Sequence, residues 1–90
     1  MEKIIRRATA GTLESSDVFV TLEPNENGVE IEIDSVVQKQ FGHVIRHTVE
    51  DVLAELEVEN AKVSVVDRGA LDCVIRARVE TAVLRGEGEC

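Results

Sequence analysis

Apolar residues along this chain switch between two spacings, and that switching limits the folds open to it more than any other feature. Val18, Val20 and Leu22 alternate with Phe19 and Thr21, a period of two that suits a strand apolar on both faces. Glu23 to Gly28 (EPNENG) reads as a turn, because Pro24 fixes its own φ and lacks an amide donor while Asn27 and Gly28 tolerate positive φ. Val29, Ile31 and Ile33 then face one way and Glu30 and Glu32 the other, so the two segments are expected to form a hairpin with one solvated, acidic face. From Ser35 the spacing becomes three-and-four: Val37, Phe41, Val44, Ile45, Thr48, Val52 and Leu56 line one face of a helix. Ser35 with Gln38 fits a capping box, and Gly42 inside the helix costs roughly 1 kcal/mol relative to Ala.

Ala61 to Val66 alternates again and predicts a third strand, closed by a turn at Asp67-Arg68-Gly69. The last segment is open to two readings. Leu71, Val74, Ile75, Val79, Ala82 and Val83 fit a helix face, but Ile75, Ala77 and Val79 alternating with Arg76, Arg78 and Glu80 also suit a strand; the Ala, Leu and Arg content and a stop at Gly86 favour the helix. The order β-β-α-β-α predicts an α+β fold, a small two-layer sandwich whose sheet is covered on one face by two helices. Residues 1–90 are expected to make one domain, frayed at 1–10 and 87–90.

A chain of 90 residues has little room for a deep cleft, and with no Trp or Tyr its core must be aliphatic. Ten basic against eighteen acidic residues give a net charge of −8, which repels phosphate backbones and anionic lipids and suits basic protein surfaces. The start MEKIIRRATAG lacks the apolar run of a secretory signal, so a cytoplasmic protein is expected, with no nucleic-acid or membrane partner. Cys73 and Cys90 are too few for a disulfide framework and read as free thiols.

Three groups of residues invite a chemical reading. His43 and His47 lie four apart, a spacing that lets two imidazoles reach one metal, but no third ligand is evident and neither lies on the apolar stripe. They read as surface histidines, and no metal is expected. Ser15 and Ser16 stand between Glu14 and Asp17 just before an apolar run; without an adjacent general base they form no triad, and spacing alone favours a polar turn. Arg76 and Arg78 among acids fit surface ion pairs along the last segment.

Taken together, GTLESSD (Gly11 to Asp17), KQFGHVIRHTV (Lys39 to Val49) with DVLAEL (Asp51 to Leu56), and DRGALDCVIRARVETA (Asp67 to Ala82) carry more. In this order and spacing the chain resembles, over nearly its whole length, the acyl carrier (gamma) subunits of citrate lyase. The resemblance implies that Ser15 holds a 2'-(5''-phosphoribosyl)-3'-dephospho-CoA prosthetic group, joined to its hydroxyl as a phosphodiester. A Gly often follows the modified serine in that family, and Ser16 stands there in this chain, so Ser16 is the fallback site.

What the resemblance further implies is a non-catalytic subunit that works with the alpha (transferase) and beta (lyase) subunits of citrate lyase. A separate prosthetic-group transferase would load it and a ligase would acetylate the arm's thiol. The alpha subunit would exchange acetyl for citryl there, and the beta subunit would release oxaloacetate and restore the acetyl thioester. Tethering the acyl group raises its effective concentration at both sites. Two other readings stand beside it: the carrier of malonate decarboxylase, disfavoured by the GTLES and GALDC stretches, and an acidic interaction adaptor whose serines carry no arm.

Overall fold

All three period-two segments are strands in the computed structural model, which describes residues 3–36 and 38–88, with residues 38–41 as backbone only. A fourth strand precedes them. The elements are β1 (Ala8–Gly11), β2 (Val18–Glu23), β3 (Val29–Ser35), α1 (Gln38–Glu55), β4 (Ala61–Asp67) and α2 (Asp72–Gly86). The strands form one sheet in the order β1-β2-β4-β3. The expected α+β class holds, with one strand more than the sequence order predicted.

The expected hairpin of Val18–Leu22 with Val29–Ile33 does not form. β2 pairs antiparallel with β1 and β4, and β3 pairs parallel with β4, so β4 lies between the two segments. The reason lies in α1, which leads out of β3 and returns the chain parallel beside it as a β-α-β unit. In that register β4 sets Val63 and Val65 beside Leu22 and Val20, all four with no exposed surface. Burying each of these side chains contributes on the order of 1.5–3 kcal/mol, which decides β2's partner.

One face of the sheet meets the helices. Val18, Val20, Leu22, Ala61, Val63 and Val65 are buried there against Ile45, Val49, Val52 and Leu53 of α1 and Ile75, Val79, Ala82 and Val83 of α2. On the other face Phe19, Thr21, Ser64 and Val66 are half-buried and Glu30, Glu32 and Asp34 exposed. Charged side chains along β3, an edge strand, discourage pairing with another chain.

α1 departs from expectation in its face. Ser35 ends β3 and its hydroxyl donates to Asp67 Oδ2 at 2.7 Å, while the expected capping box with Gln38 rests on residues outside the described ones. The side chains of Val37, Gln38 and Phe41 lie outside the described residues. Val44 is 46% exposed, while Val49 and Leu53 join Ile45, Thr48 and Val52 in the buried stripe. Residues 72–80 are helical, and the burial of Ile75 and Val79 with Ala77 exposed excludes the strand alternative. Arg76 does not pair along its own helix: its Nη2 reaches both Glu55 carboxylate oxygens on α1.

Of residues 1–10, expected to fray, residues 3–10 are described, and several of them are tied to the body of the protein. Ile4 sits in the core, the Ile5 amide donates to Gly86 O at 2.9 Å, and Arg85 Nη1 donates to Thr9 O at 2.8 Å. α2 ends at Gly86 as expected, and the glycine is closely packed there, since a Cβ would stand 2.6 Å from Leu22 Cδ2. Glu87 continues the helical bonds through its amide to Val83 O, and residues 89–90, with Cys90, lie outside the description. Among the described residues no helix is long and apolar enough to cross a membrane.

Candidate functional site

Residues 12–17 connect β1 to β2, so the paired serines lie at the tip of an antiparallel hairpin. The Asp17 amide donates to Glu14 O at 3.2 Å, which closes a four-residue turn with Ser15 and Ser16 at its corners. Ser16 takes a left-handed φ of 66°. Its amide donates to Arg68 O at 2.8 Å, and the Arg68 amide donates to Asp17 O at 2.9 Å. Two residues of one strand therefore oppose a single residue of the other, with the first left-handed: a β-bulge of the kind that normally takes Gly in that position. A Gly would take this position without strain, and Ser16 takes it here at a conformational cost. Ser16 occupies the backbone slot, and Ser15 stands at the turn's other corner, exposed.

The base of the loop is tied from both sides. Asp17 Oδ2 accepts from Thr12 Oγ1 at 2.7 Å and Arg78 Nη2 at 2.9 Å, while Oδ1 accepts from the Val18 amide at 2.7 Å and Arg78 Nε at 3.1 Å. Thr12 Oγ1 in turn accepts from the Glu14 amide at 3.2 Å. Behind the bulge Asp67, only 2% exposed, accepts from Ser35 Oγ through one oxygen and from the Gly69 and Ala70 amides through the other. That carboxylate fixes the turn that presents Arg68 to the loop.

With both oxygens occupied, Asp17 has no lone pair poised to take a proton from Ser15. The Thr12 hydroxyl, the Arg78 guanidinium and the Val18 amide together lower its pKa from 3.8 to about 2, against the opposing effect of burial. Because the folded value lies below the unfolded one, the stability Asp17 lends is complete above about pH 4 and is lost as pH falls towards 2. The carboxyl carbon of Asp17, followed by NMR, is expected to titrate near 2, and Arg78→Met to raise that midpoint. A midpoint at the ordinary 3.8 in the native chain would contradict the geometry.

Neither serine hydroxyl makes a hydrogen bond among the described residues, so the structure brings no general base to them. His43 and His47 are exposed on α1, with His47 Nε2 at 3.5 Å from Asp51 Oδ2. No group of three or more metal-ligating side chains occurs among the described residues. A concavity of about 370 Å³ lies at the opposite end of the strands, lined by residues such as Lys3, Asn25, Glu57 and Asn60. The Asp17–Arg78 pair was not visible in the sequence, where Arg78 reads as one charge in a mixed run. Its only sign was that both residues fall in stretches that resemble one family.

Comparison with known proteins adds a separate line. An acyl carrier family model, described as malonate decarboxylase delta subunit (MdcD), matches residues 5–86. The citrate lyase acyl carrier protein of Latilactobacillus sakei subsp. sakei (strain 23K) is 55% identical over 82 residues, covering 91% of this chain and 81% of that protein. Citrate lyase acyl carrier protein 2 of Salmonella typhimurium (strain LT2) is 54% identical over 84 residues, 92% of this chain and 87% of that protein. A chain in the crystal structure of a Pseudomonas malonate decarboxylase hetero-tetramer in complex with malonate superposes with a TM-score of 0.79. It covers 96% of this chain and 92% of its own length at 23% identity, a likeness of fold.

Proposed function

Since this chain belongs to the citrate lyase acyl carrier protein family, we propose that it is the acyl carrier subunit of a citrate lyase, with Ser15 the residue that holds its prosthetic arm. The observation that carries the assignment is the division of labour at the turn. Ser16 has its amide bonded to Arg68 and its φ in the left-handed region, while Ser15 presents a free, exposed hydroxyl at the corner. An enzyme that transfers an arm to the hydroxyl needs an approach clear of neighbouring side chains, and a hairpin tip gives one.

The residues fit a 2'-(5''-phosphoribosyl)-3'-dephospho-CoA joined to Ser15 as a phosphodiester. A new negative charge at the tip meets Glu14, exposed, and Asp17, whose charge is already matched by Arg78. Repulsion between exposed like charges a few ångströms apart costs about 1 kcal/mol or less in water. When bound, the arm supplies a terminal thiol for acetyl and citryl groups during conversion of citrate to acetate and oxaloacetate. The chain's own part is to hold the attachment point rigid at its base and open at its tip. In this reading the subunit is non-catalytic and cytoplasmic, and its partners are the alpha and beta subunits of citrate lyase, the prosthetic-group transferase and the acetylating ligase.

A carrier for malonate decarboxylase is the second reading, favoured by the description of the matching family model. Identities of 54–55% to citrate lyase carriers weigh more than 23% to a chain of the malonate enzyme. The test is the intact mass of the protein from its own organism grown on citrate, with fragment mapping across residues 11–24. An adduct of the arm's mass on Ser15 is expected. An unmodified chain in cells that contain the loading enzymes would overturn the carrier reading and favour an acidic adaptor.

A further inference from the structure

One cation at the loop has no role in holding the fold. Arg68 spends its backbone on the bulge, accepting from the Ser16 amide and donating to Asp17 O, so its Cα is fixed directly across from the residue after Ser15. Consecutive Cα atoms stand about 3.8 Å apart, a step that an arginine side chain spans. The Arg68 side chain is exposed and makes no hydrogen bond or ion pair among the described residues. Arg78, the other arginine at this loop, is held on Asp17 through Nε and Nη2. Arg76 is engaged with Glu55, and Arg6 and Arg85 with carbonyls near the chain's two ends.

From this arrangement we propose that the Arg68 guanidinium binds the phosphodiester on Ser15, a contact that rests on Ser15 being the attachment residue. Arg78 is already matched by Asp17 and Glu14 adds a further negative charge, in a chain of net charge −8, so Arg68 is the group that offsets the charge gained on loading. Guanidinium suits the task because its planar fork donates to two phosphate oxygens at once and stays protonated at every physiological pH. The contact would hold the first atoms of the arm against the β4–α2 turn and leave its far end free to move. Since only the backbone of Arg68 serves the bulge, changing its side chain leaves the fold in place.

The test uses the carrier before and after loading, with attachment at Ser15 established first by mass. In the loaded native chain the Arg68 Nε–H is expected to exchange with water about 2–5-fold more slowly than in the unloaded chain, the range of an exposed ion pair. The Arg46 Nε–H, on exposed α1, serves as the unchanged control. The ³¹P resonance of the diester should shift between the native chain and R68Q, with R68K intermediate, and the difference should vanish at high salt. Unaltered Arg68 exchange on loading would overturn the proposal, and so would identical ³¹P spectra of native chain and R68Q. The exchange measurement needs the native chain alone, so it decides the matter even where R68Q is poorly loaded. A native chain loaded at Ser16 refutes the Ser15 assignment, and one that gains no mass at either serine refutes the carrier assignment, both at the earlier step.

Discussion

Ser15→Ala is expected to fold as the native chain does and to acquire no arm at all, whereas Ser16→Gly is loaded fully. The Ser15 hydroxyl is exposed and bonded to nothing, so its removal should change stability by no more than about 0.5 kcal/mol. Without that oxygen there is no phosphodiester to form, so the loss is complete, not graded. Ser16→Gly acts on the backbone. It relieves a left-handed conformation that costs a residue with a Cβ on the order of 1 kcal/mol, offset in part by the greater freedom of Gly in the unfolded chain. Incubation of each variant with the loading transferase and the arm's precursor, followed by intact mass, reads the outcome directly. Loading of Ser15→Ala with none of Ser16→Gly would move the attachment to Ser16 and reverse the division of labour at the turn.

The elements of this fold were legible where apolar side chains were large enough to mark a period. β2, β3 and β4 alternate Val, Ile and Leu, and the buried positions of both helices repeat at three and four. β1 escaped because its inward residues are Ala8 and Ala10, whose small side chains leave almost no hydrophobic alternation to detect. Missing it hid the fact that the serine loop is a hairpin tip. Strand pairing was misread for a different reason: proximity in sequence favours a hairpin, but the α1 crossover places β4 beside β2, a choice made by packing that no local pattern carries. Ser35 reads as a helix cap from its own neighbours, and nothing local shows that its hydroxyl also donates to the carboxylate of Asp67, 32 residues on.

The site itself divides in the same way. Its exposed serines and polar turn could be read from GTLESSD, and the choice of Ser15 came from the resemblance. What could not be read was the left-handed φ of Ser16, which accompanies the pairing of Arg68 across the bulge. Nor could charge type alone reveal that Arg78 closes the loop from 61 residues away. Both features join a local turn to β4 and α2, so they depend on tertiary pairing.

Gly11→Ala should destabilise the protein by about 3 kcal/mol or more, against about 1 kcal/mol for Gly69→Ala. Both glycines have left-handed φ, 91° and 94°, so both substitutions carry the same conformational strain. They differ in what a methyl group would meet. At Gly69 no atom lies within 4 Å of the added Cβ, whereas at Gly11 it would overlap the Val18 carbonyl oxygen and crowd Arg78 Cδ at 3.2 Å. A carbonyl within the sheet cannot swing away without disturbing the adjacent Ala10–Val20 pairing, and a shifted Arg78 would loosen its hold on Asp17. In a domain whose total stability is on the order of 5–15 kcal/mol, a 3 kcal/mol loss should lower the melting temperature by roughly 12 °C or more. Thermal and denaturant unfolding of the two variants side by side isolates the steric part as their difference. Equal losses would mean that β1 yields freely at Gly11 and that the hairpin base is not the rigid support on which the presentation of Ser15 depends.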